Sequence, residues 1–192
     1  MSPHTESGFT LVELLIALAI TGIVLGAAVN TFLAQQRSYA LQEQITAMTQ
    51  GTRAAMEMVT RDVRMAGYNP AGTSFDGITY DPTHLQIRAD LDGNGDTADA
   101  NETIVYAYNT TTQQVMRETD GSSQPIADHI QALTFDYVDG AGTSTTTTAT
   151  IRQIRITITA RTATADPRYA ANGGYRTYRL TSLVTPKNLA LD

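Results

Sequence analysis

An acidic segment in the middle of the chain has the residue types and the spacing of a cation site. Oxygen-bearing side chains recur on alternate residues at Asp90, Asp92, Asn94 and Asp96, and Gly95 stands where a sharp turn is required. Hard cations such as Ca²⁺ are bound by several convergent oxygen ligands. The chemistry that this segment predicts is therefore the binding of a hard divalent cation.

The first half of this segment resembles an EF-hand-type calcium loop, but the second half departs from one. The twelfth position, which should supply a bidentate acid, is Asn101, and Glu102 follows one residue later. The flanking residues alternate as strands do, so a helix-loop-helix sensor is not expected. Two interpretations stay open, a Ca²⁺-bound loop between strands and an acidic hairpin loop that only forms turns. The candidate ligands are Asp90, Asp92, Asn94, Asp96, Asp99 and Glu102.

A second ionisable group stands in an apolar environment near the N-terminus. Residues 9–29 are twenty-one residues whose only charge is Glu13. At about 1.5 Å per residue they make roughly 32 Å of helix, enough to cross the hydrocarbon core of a bilayer. A plain membrane anchor gives no reason for a costly carboxylate in this run. An ordinary signal peptide is disfavoured because no Lys or Arg precedes the run and the helical pattern continues unbroken to about residue 66.

Residues 8–16, Gly-Phe-Thr-Leu-Val-Glu-Leu-Leu-Ile, closely resemble the processing signature of type IV prepilins and of the pseudopilins of type II secretion. This resemblance implies that a prepilin peptidase cleaves after Gly8, removes a leader of residues 1–8 and methylates the new amino group of Phe9. It also implies that subunits assemble through their N-terminal helices, with Glu13 paired to the Phe9 amine of a neighbour. The pairing agrees with elementary electrostatics, because a carboxylate inside an apolar helix bundle requires a cation.

The periodicity of the sequence predicts the helix that carries these groups. No proline interrupts residues 9–67, and small or apolar residues recur every three or four positions through the second half of this stretch. Gly67 is the expected C-terminal cap. We therefore expect residues 9–29 to form a transmembrane segment and filament core, and residues 30–67 to form an amphipathic helix that packs on a sheet.

Two glycines four residues apart, Gly22 and Gly26, form a small-xxx-small spacing within the apolar run. This spacing permits close contact between helices, or local loosening of the helix during assembly, because glycine weakens a helix by about 1 kcal/mol relative to alanine. The alternative is that a membrane segment simply tolerates glycine at these positions. We assign both residues to helix packing as an expectation.

After Pro70 the period changes to short extended segments bounded by turn residues, so residues 68–192 are expected to form a β-rich head. The expected strands are Leu85–Ala89, Thr103–Tyr108, Gln114–Glu118, Ala132–Val138, Ile151–Arg161 and Tyr178–Val184. The threonine-rich residues 140–150 are expected to form a mobile loop, and residues 120–123 a turn. The predicted fold class is α+β and pilin-like, with a long N-terminal α-helix packed on an antiparallel β-sheet domain.

Composition argues against several classes of function. The chain of 192 residues has a net charge of −6, and the residues after Gly67 hold fourteen acids and nine bases. Such a surface repels phosphate backbones, so no nucleic-acid partner is expected. The absence of cysteine excludes a thiol nucleophile and a disulfide framework. His4, His84 and His129 are scattered, and no catalytic motif is present, so we expect no enzymatic activity.

These observations favour a structural subunit, a minor pilin of a type IV pilus. It is expected to lie in the inner membrane before assembly and then in an extracellular filament, to prime assembly or to sit at the filament tip. Residues 61–68 and 183–188 resemble the corresponding stretches of larger minor pilins and J-like pseudopilins. The expected partners are prepilin peptidase and other pilin or pseudopilin subunits. One alternative is a minor pseudopilin in a periplasmic pseudopilus. Another is a membrane-anchored calcium-binding adhesin that does not polymerise.

Overall fold

The computed structural model describes residues 8–189, and within this range it contains one long α-helix and eight strands. The helix is α1 (Leu11–Met65). The strands are β1 (Ile78–Thr79), β2 (His84–Arg88), β3 (Thr103–Asn109), β4 (Gln114–Thr119), β5 (Ser122–Ala127), β6 (Ile130–Val138), β7 (Gln153–Arg161) and β8 (Thr177–Val184). The predicted α+β, pilin-like class is confirmed. Most of the predicted leader lies outside the described residues.

The chain divides into two compact units, Met1–Glu43 and Gln44–Asp192. In the described part of the first unit, every side chain before Leu41 is exposed. This part of α1 is long and apolar enough, by length and composition, to cross a membrane. Its exposed apolar surface is what a segment that functions in lipid or between other helices requires.

The second unit contains two antiparallel sheets, whereas the sequence pattern predicted one. The larger sheet has five strands in the order β1-β2-β3-β4-β5, and the smaller has three in the order β6-β7-β8. Neighbouring strands in the chain are therefore neighbours in each sheet, which is the pattern of successive hairpins. β5 and β8 each form an edge.

The core of the second unit combines one face of α1 with the apolar faces of both sheets. The helix buries Thr52, Met56, Val59 and Val63, which confirms the predicted spacing of three and four residues. On β7, Ile154, Ile156 and Ile158 are completely buried, as the alternation predicted. Burial of each such side chain stabilises the fold by about 1.5–3 kcal/mol relative to exposure.

All six predicted strands are present, with bounds that differ from the prediction by at most two residues. The prediction missed β1, which has two residues, and β5. The expected turn at residues 120–123 holds only for its first half, because Asp120 and Gly121 adopt positive φ angles of 55° and 72° and β5 begins at Ser122. The expected loop at residues 140–150 contains a short 3₁₀ turn, Thr148–Thr150, and Ser144 bridges to Val138.

Two glycines, Gly67 and Gly77, let the end of α1 lie close to the five-stranded sheet. Gly67 has a φ of 74°, the left-handed conformation of a C-terminal cap, and its N–H donates a hydrogen bond to the Arg88 carbonyl at 2.9 Å. Gly77 lies so close that a Cβ atom built on it would stand 2.3 Å from the Gly67 nitrogen. The helix end is thereby fixed beside the segment that leads into the acidic residues.

Candidate functional site

Glu13 forms a capping box with Thr10 at the start of α1. The Glu13 Oε2 atom accepts hydrogen bonds from the Thr10 N–H and hydroxyl, both at 2.9 Å, and the Thr10 hydroxyl accepts one from the Glu13 N–H at 3.2 Å. Sequence reasoning missed this role, although Thr-x-x-Glu before an apolar run is its signature. The salt bridges found among residues 8–189 do not include Glu13. Among the described residues, the donors to its carboxylate are therefore the neutral groups of Thr10.

The residues on either side of the predicted cleavage point precede the helix. Gly8 and Phe9 adopt no regular secondary structure, and Phe9 is 89% exposed. A Cβ atom added to Gly8 would contact nothing within 4 Å. The bond between these two residues is thus accessible, as a peptidase substrate requires. Cleavage there would place a new amine one residue before Thr10, which begins the capping box.

Gly22 and Gly26 lie one turn apart on an exposed face of α1. A Cβ atom added to either would meet nothing within 4 Å, so their small size leaves open surface rather than relieving a contact within this chain. The Asn30 side chain donates to the Gly26 carbonyl at 3.0 Å, and the Thr21 hydroxyl donates to the Ala17 carbonyl at 2.7 Å. These polar groups are satisfied inside the helix, which an apolar environment demands.

The acidic segment forms the connection between β2 and β3, and its two ends are buried carboxylates. Asp90 is completely buried and Glu102 is 2% exposed. The Glu102 Oε1 atom accepts hydrogen bonds from the N–H groups of Leu91 at 2.7 Å and Asp92 at 3.4 Å, and its Oε2 accepts one from Asp99 at 3.2 Å. Glu102 therefore holds both sides of the connection at one point.

Asp90 organises the turn from the opposite end. Its Oδ1 accepts a hydrogen bond from the Gly93 N–H at 2.7 Å, and its Oδ2 accepts one from Gly95 at 3.1 Å. Both glycines have positive φ angles, 81° and 94°, and this backbone shape lets their N–H groups point inward. The Asp90 N–H donates to the Tyr68 carbonyl at 2.8 Å, which attaches the acidic connection to the segment after α1.

The carboxylates of this connection converge into two overlapping groups. Asp90, Asp92 and Glu102 form one, and Asp96, Asp99 and Glu102 form the other; within each, one oxygen per residue lies within 4.8 Å of the others. These hard oxygen donors fit Ca²⁺ in type.

The remaining polar residues of the connection have other hydrogen bonds. The Asn94 side chain donates to the Asp99 Oδ2 at 2.6 Å and accepts from the Asp96 N–H at 2.8 Å. The Asn101 N–H donates to Asp120 Oδ1 at 3.0 Å. Glu102 therefore belongs to both carboxylate groups, whereas Asn101 belongs to neither.

A charged network between α1 and the five-stranded sheet was not foreseen from the sequence. The Tyr106 hydroxyl donates to Asp62 Oδ2 at 2.6 Å, and the Arg117 Nε donates to the same oxygen at 3.1 Å. Tyr106 is completely buried. Desolvation, and then the hydrogen bond to Asp62, raises the pKa of Tyr106 well above its usual range. No periodicity marks this cluster, because its members are far apart in the chain.

The histidines occupy strand ends. His84 begins β2, and its Nδ1 lies 3.1 Å from Asp81 Oδ1. The side-chain hydrogen bond from Thr83, followed by the backbone N–H of Thr83, lowers the pKa of Asp81 below its usual value. His129 lies in the turn between β5 and β6 with a φ of 56°. His4 lies outside the described residues.

Two family models match this sequence. The prokaryotic N-terminal methylation motif matches residues 3–29, which include Gly8, Phe9 and Glu13. The model of prepilin peptidase-dependent protein B matches residues 41–184, well over half of the chain and most of its second unit. A search of the curated proteins finds no match.

Proposed function

Because the chain belongs to the prepilin peptidase-dependent protein B family and is a pilin-like subunit, we propose that it is a minor subunit of a type IV pilus. Prepilin peptidase cleaves it after Gly8, and it then leaves the inner membrane and enters the filament through α1, priming assembly or occupying the tip. The observation that carries the proposal is Glu13, a carboxylate on an exposed apolar helix that pairs with no cationic side chain among residues 8–189. The Phe9 amine of an adjacent subunit supplies that cation.

The decisive experiment separates the charge of Glu13 from its capping role. Glu13→Gln keeps a side chain that can complete the capping box but removes the charge, whereas Thr10→Ala removes the cap and keeps the charge. We expect Glu13→Gln to be cleaved at Gly8 yet to be lost from sheared filaments by at least about tenfold, because a buried unpaired amine is costly. Thr10→Ala should assemble better than Glu13→Gln. Glu43→Gln, an exposed acid later in α1, is the matched control and should assemble as the unaltered chain does.

Two results would contradict this proposal. One is incorporation of Glu13→Gln at the level of the unaltered chain. The other is mass spectrometry of assembled fibres that finds residues 1–8 still attached. Gly8→Val, which blocks cleavage, should remain in the membrane fraction; an anchored adhesin that never polymerises would keep its binding activity in this variant.

The rival filament is the pseudopilus of type II secretion, whose subunits use the same kind of leader. A deletion strain distinguishes the two. Loss of twitching motility with normal protein secretion supports the pilus. Loss of secretion with normal motility would show that the chain is a pseudopilus subunit, assembled through the same Glu13 contact.

We also propose that the β2–β3 connection binds Ca²⁺ through Asp90, Asp92 and Glu102, with Asp96 and Asp99 contributing from the second group. The support is the convergence of these carboxylates. The backbone N–H groups from which Asp90 and Glu102 accept hydrogen bonds are neutral, and none of the salt bridges among residues 8–189 includes any of the five acids. An affinity of about 10⁻⁴ to 10⁻³ M is typical of extracellular sites. The ion would link the two ends of the connection in a chain that has no disulfide.

Thermal unfolding of the full chain in detergent tests this cation proposal. Calcium at about thirty times its dissociation constant should stabilise the folded state by about 2 kcal/mol. Asp92→Asn should weaken this effect, while Asp76→Asn, an exposed acid before β1, should leave it intact. Equal melting temperatures with calcium and with a chelator would show that the connection is only an acidic turn.

A further inference from the structure

The chain contains two asparagine-glycine pairs, Asn94-Gly95 in the β2–β3 connection and Asn172-Gly173 in the loop between β7 and β8. In such a pair the backbone nitrogen of the glycine can reach the asparagine side-chain amide, because glycine has no side chain that blocks the approach. The reaction that this contact permits is deamidation. The two pairs have different surroundings, and these surroundings decide which pair reacts.

Folding holds both members of the first pair. The Asn94 side chain donates a hydrogen bond to Asp99 Oδ2 at 2.6 Å and accepts one from the Asp96 N–H at 2.8 Å. The Gly95 N–H, whose nitrogen would have to attack, donates to Oδ2 of the buried Asp90 at 3.1 Å. Attack at Asn94 therefore requires the β2–β3 connection to open first.

The second pair has no such restraint on its side chain. Asn172 and Gly173 are both exposed. The side-chain hydrogen bonds found in this loop, within residues 8–189, are made by Thr162, Thr164, Asp166 and Arg176, and none by Asn172. Asn172 has a φ of 51° and a ψ of 35°. Because this left-handed conformation is disfavoured for a residue with a Cβ atom, little free energy opposes rotation away from it.

The turn that contains Asn172 packs tightly against an earlier part of the same loop. Gly174 is buried, and a Cβ atom built on it would lie 2.9 Å from the Ala165 Cβ and 3.1 Å from the Asp166 carbonyl oxygen. The Gly174 carbonyl accepts a hydrogen bond from the Asp166 N–H at 2.8 Å. A backbone lengthened by one atom just before Gly174 does not fit this close-packed contact.

We propose that Asn172 deamidates spontaneously in the folded chain, that folding protects Asn94 from the same reaction, and that the product releases the loop of residues 162–176. The Gly173 nitrogen attacks the side-chain carbonyl carbon of Asn172 and loses its proton. A C–N bond forms, the bond to the amide nitrogen breaks, and ammonia leaves with that proton.

Water then opens the cyclic imide at either carbonyl, which gives aspartate or isoaspartate at position 172. One water is consumed for each ammonia released, and a neutral amide becomes a carboxylate. The isoaspartate product has one extra backbone atom before Gly173, and this is the change that the packing of Gly174 does not accommodate. The inference goes beyond the proposed function and is independent of it.

Ageing of the purified full-length chain in detergent tests the inference. The folded chain is incubated at mildly alkaline pH with a chelator, so that no bound cation contributes to the protection of Asn94, and is then digested for mass spectrometry. Deamidation adds about 1 Da to the peptide that contains it. Asn172 should react at least about tenfold faster than Asn94, because only Asn94 needs a local opening. In concentrated urea the two rates should become similar.

Two variants separate protection by the fold from the local sequence. Asp99→Ala removes the acceptor of the Asn94 amide and should raise the rate at Asn94 by at least about threefold, with no change at Asn172. Asn172→Gly removes the reacting amide and tolerates a positive φ, so it is the unreactive control. Trypsin cleavage after the exposed Arg168 measures release of the loop. It should become faster as the unaltered chain ages and should not change with age in Asn172→Gly.

Equal rates at Asn172 and Asn94 in the folded chain would overturn the inference, and so would an Asn172 that reacts in urea but stays unmodified in the folded chain. Cleavage after Arg168 that does not accelerate in the aged chain would refute the release of the loop. None of these results depends on cleavage at Gly8 or on Glu13, so failure here leaves the proposed filament function as it stands.

Discussion

The Asp62–Tyr106–Arg117 network shows how a single carboxylate can fix a helix to a sheet. Asp62 lies on α1, Tyr106 on β3 and Arg117 on β4, and both partners donate to one oxygen of Asp62. Asp62→Ala should lower the free energy of unfolding by about 2–3 kcal/mol, because it leaves a partly buried guanidinium and a buried hydroxyl without their acceptor. Urea unfolding of the full chain in detergent, followed by the near-ultraviolet signal of tyrosine, measures this loss.

The double variant Asp62→Ala with Arg117→Met should recover part of that stability, because both members of the pair are then absent. Glu57→Ala, which removes an exposed acid from the same helix, should change stability by less than about 0.5 kcal/mol. Equal losses for Asp62→Ala and Glu57→Ala would show that the network contributes nothing.

Tyr137 makes the fold sensitive to alkali. The residue is 2% exposed, and its single hydroxyl hydrogen is shared between the carbonyls of Asp81 and His84, both 3.0 Å from the hydroxyl oxygen. Desolvation raises the pKa of Tyr137 from 10.0 to about 12. The folded state therefore disfavours the phenolate, so the stabilising contribution is complete below the unfolded pKa and is lost as the pH rises toward the folded pKa.

We expect the free energy of unfolding to fall by about 2–3 kcal/mol as the pH rises from about 10 to about 12, because of this residue. Unfolding measured against pH checks the slope. Tyr137→Phe should reduce this slope and leave the part due to Tyr106, whereas Tyr39→Phe, on the exposed part of α1, should leave it unchanged. A slope that Tyr137→Phe does not alter would mean that the tyrosine titrates equally in both states.

At the scale of elements, the end of α1 depends on the absence of a side chain at Gly77. A Cβ atom there would lie 2.3 Å from the Gly67 nitrogen and 2.5 Å from its Cα, both backbone atoms that cannot rotate away. Gly77→Ala should therefore destabilise the fold by about 1–3 kcal/mol through overpacking. Gly51→Ala is the matched change within α1, where a Cβ atom meets nothing within 4 Å.

Gly51→Ala should stabilise the protein by about 0.5–1 kcal/mol, because alanine loses less backbone freedom in a helix. The two glycine-to-alanine changes thus have opposite expected signs in the same urea experiment. If both stabilise, the helix end is free to move away from β1.

The elements predicted from the sequence are those whose burial follows a local period. The buried face of α1 and the isoleucines of β7 repeat every three or four and every two residues, so periodicity alone identifies them. β5 was not predicted because it begins with the polar residues Ser-Ser-Gln and contains Pro125, a composition that only an edge strand tolerates. β1 has too few residues to show a period.

The candidate sites follow the same division. Oxygen-bearing side chains on alternate residues predicted the acidic connection. The role of Glu102 could not be predicted in the same way, because it depends on the fold that brings Glu102 beside Asp90. In the Asp62 network, Tyr106 and Arg117 each lie more than forty residues from Asp62 in the chain, so no local pattern connects them. Tertiary pairing is therefore what single-sequence reasoning omits.

At the scale of the whole molecule, the two compact units should lose structure separately. Eight of the nine tyrosines lie after Gln44, while the described part of the first unit buries no side chain before Leu41. In detergent, the backbone hydrogen bonds of an apolar helix have no competing water, so the helix persists without head contacts. Heating the full chain should abolish the near-ultraviolet tyrosine signal cooperatively while a substantial helical far-ultraviolet signal remains.

Hydrogen exchange on the heated sample locates that residual helix, and protection should be confined to residues before Glu43. Val59→Ala, which creates a cavity in the head, should lower the temperature of the tyrosine transition without changing the protected helix. Ala27→Gly, in the exposed part of α1, should weaken the residual helical signal and leave the tyrosine transition in place. Coincident loss of both signals would contradict independent units. In that case the apolar part of α1 would depend on the folded head for its helical structure, and the chain would unfold as one cooperative unit.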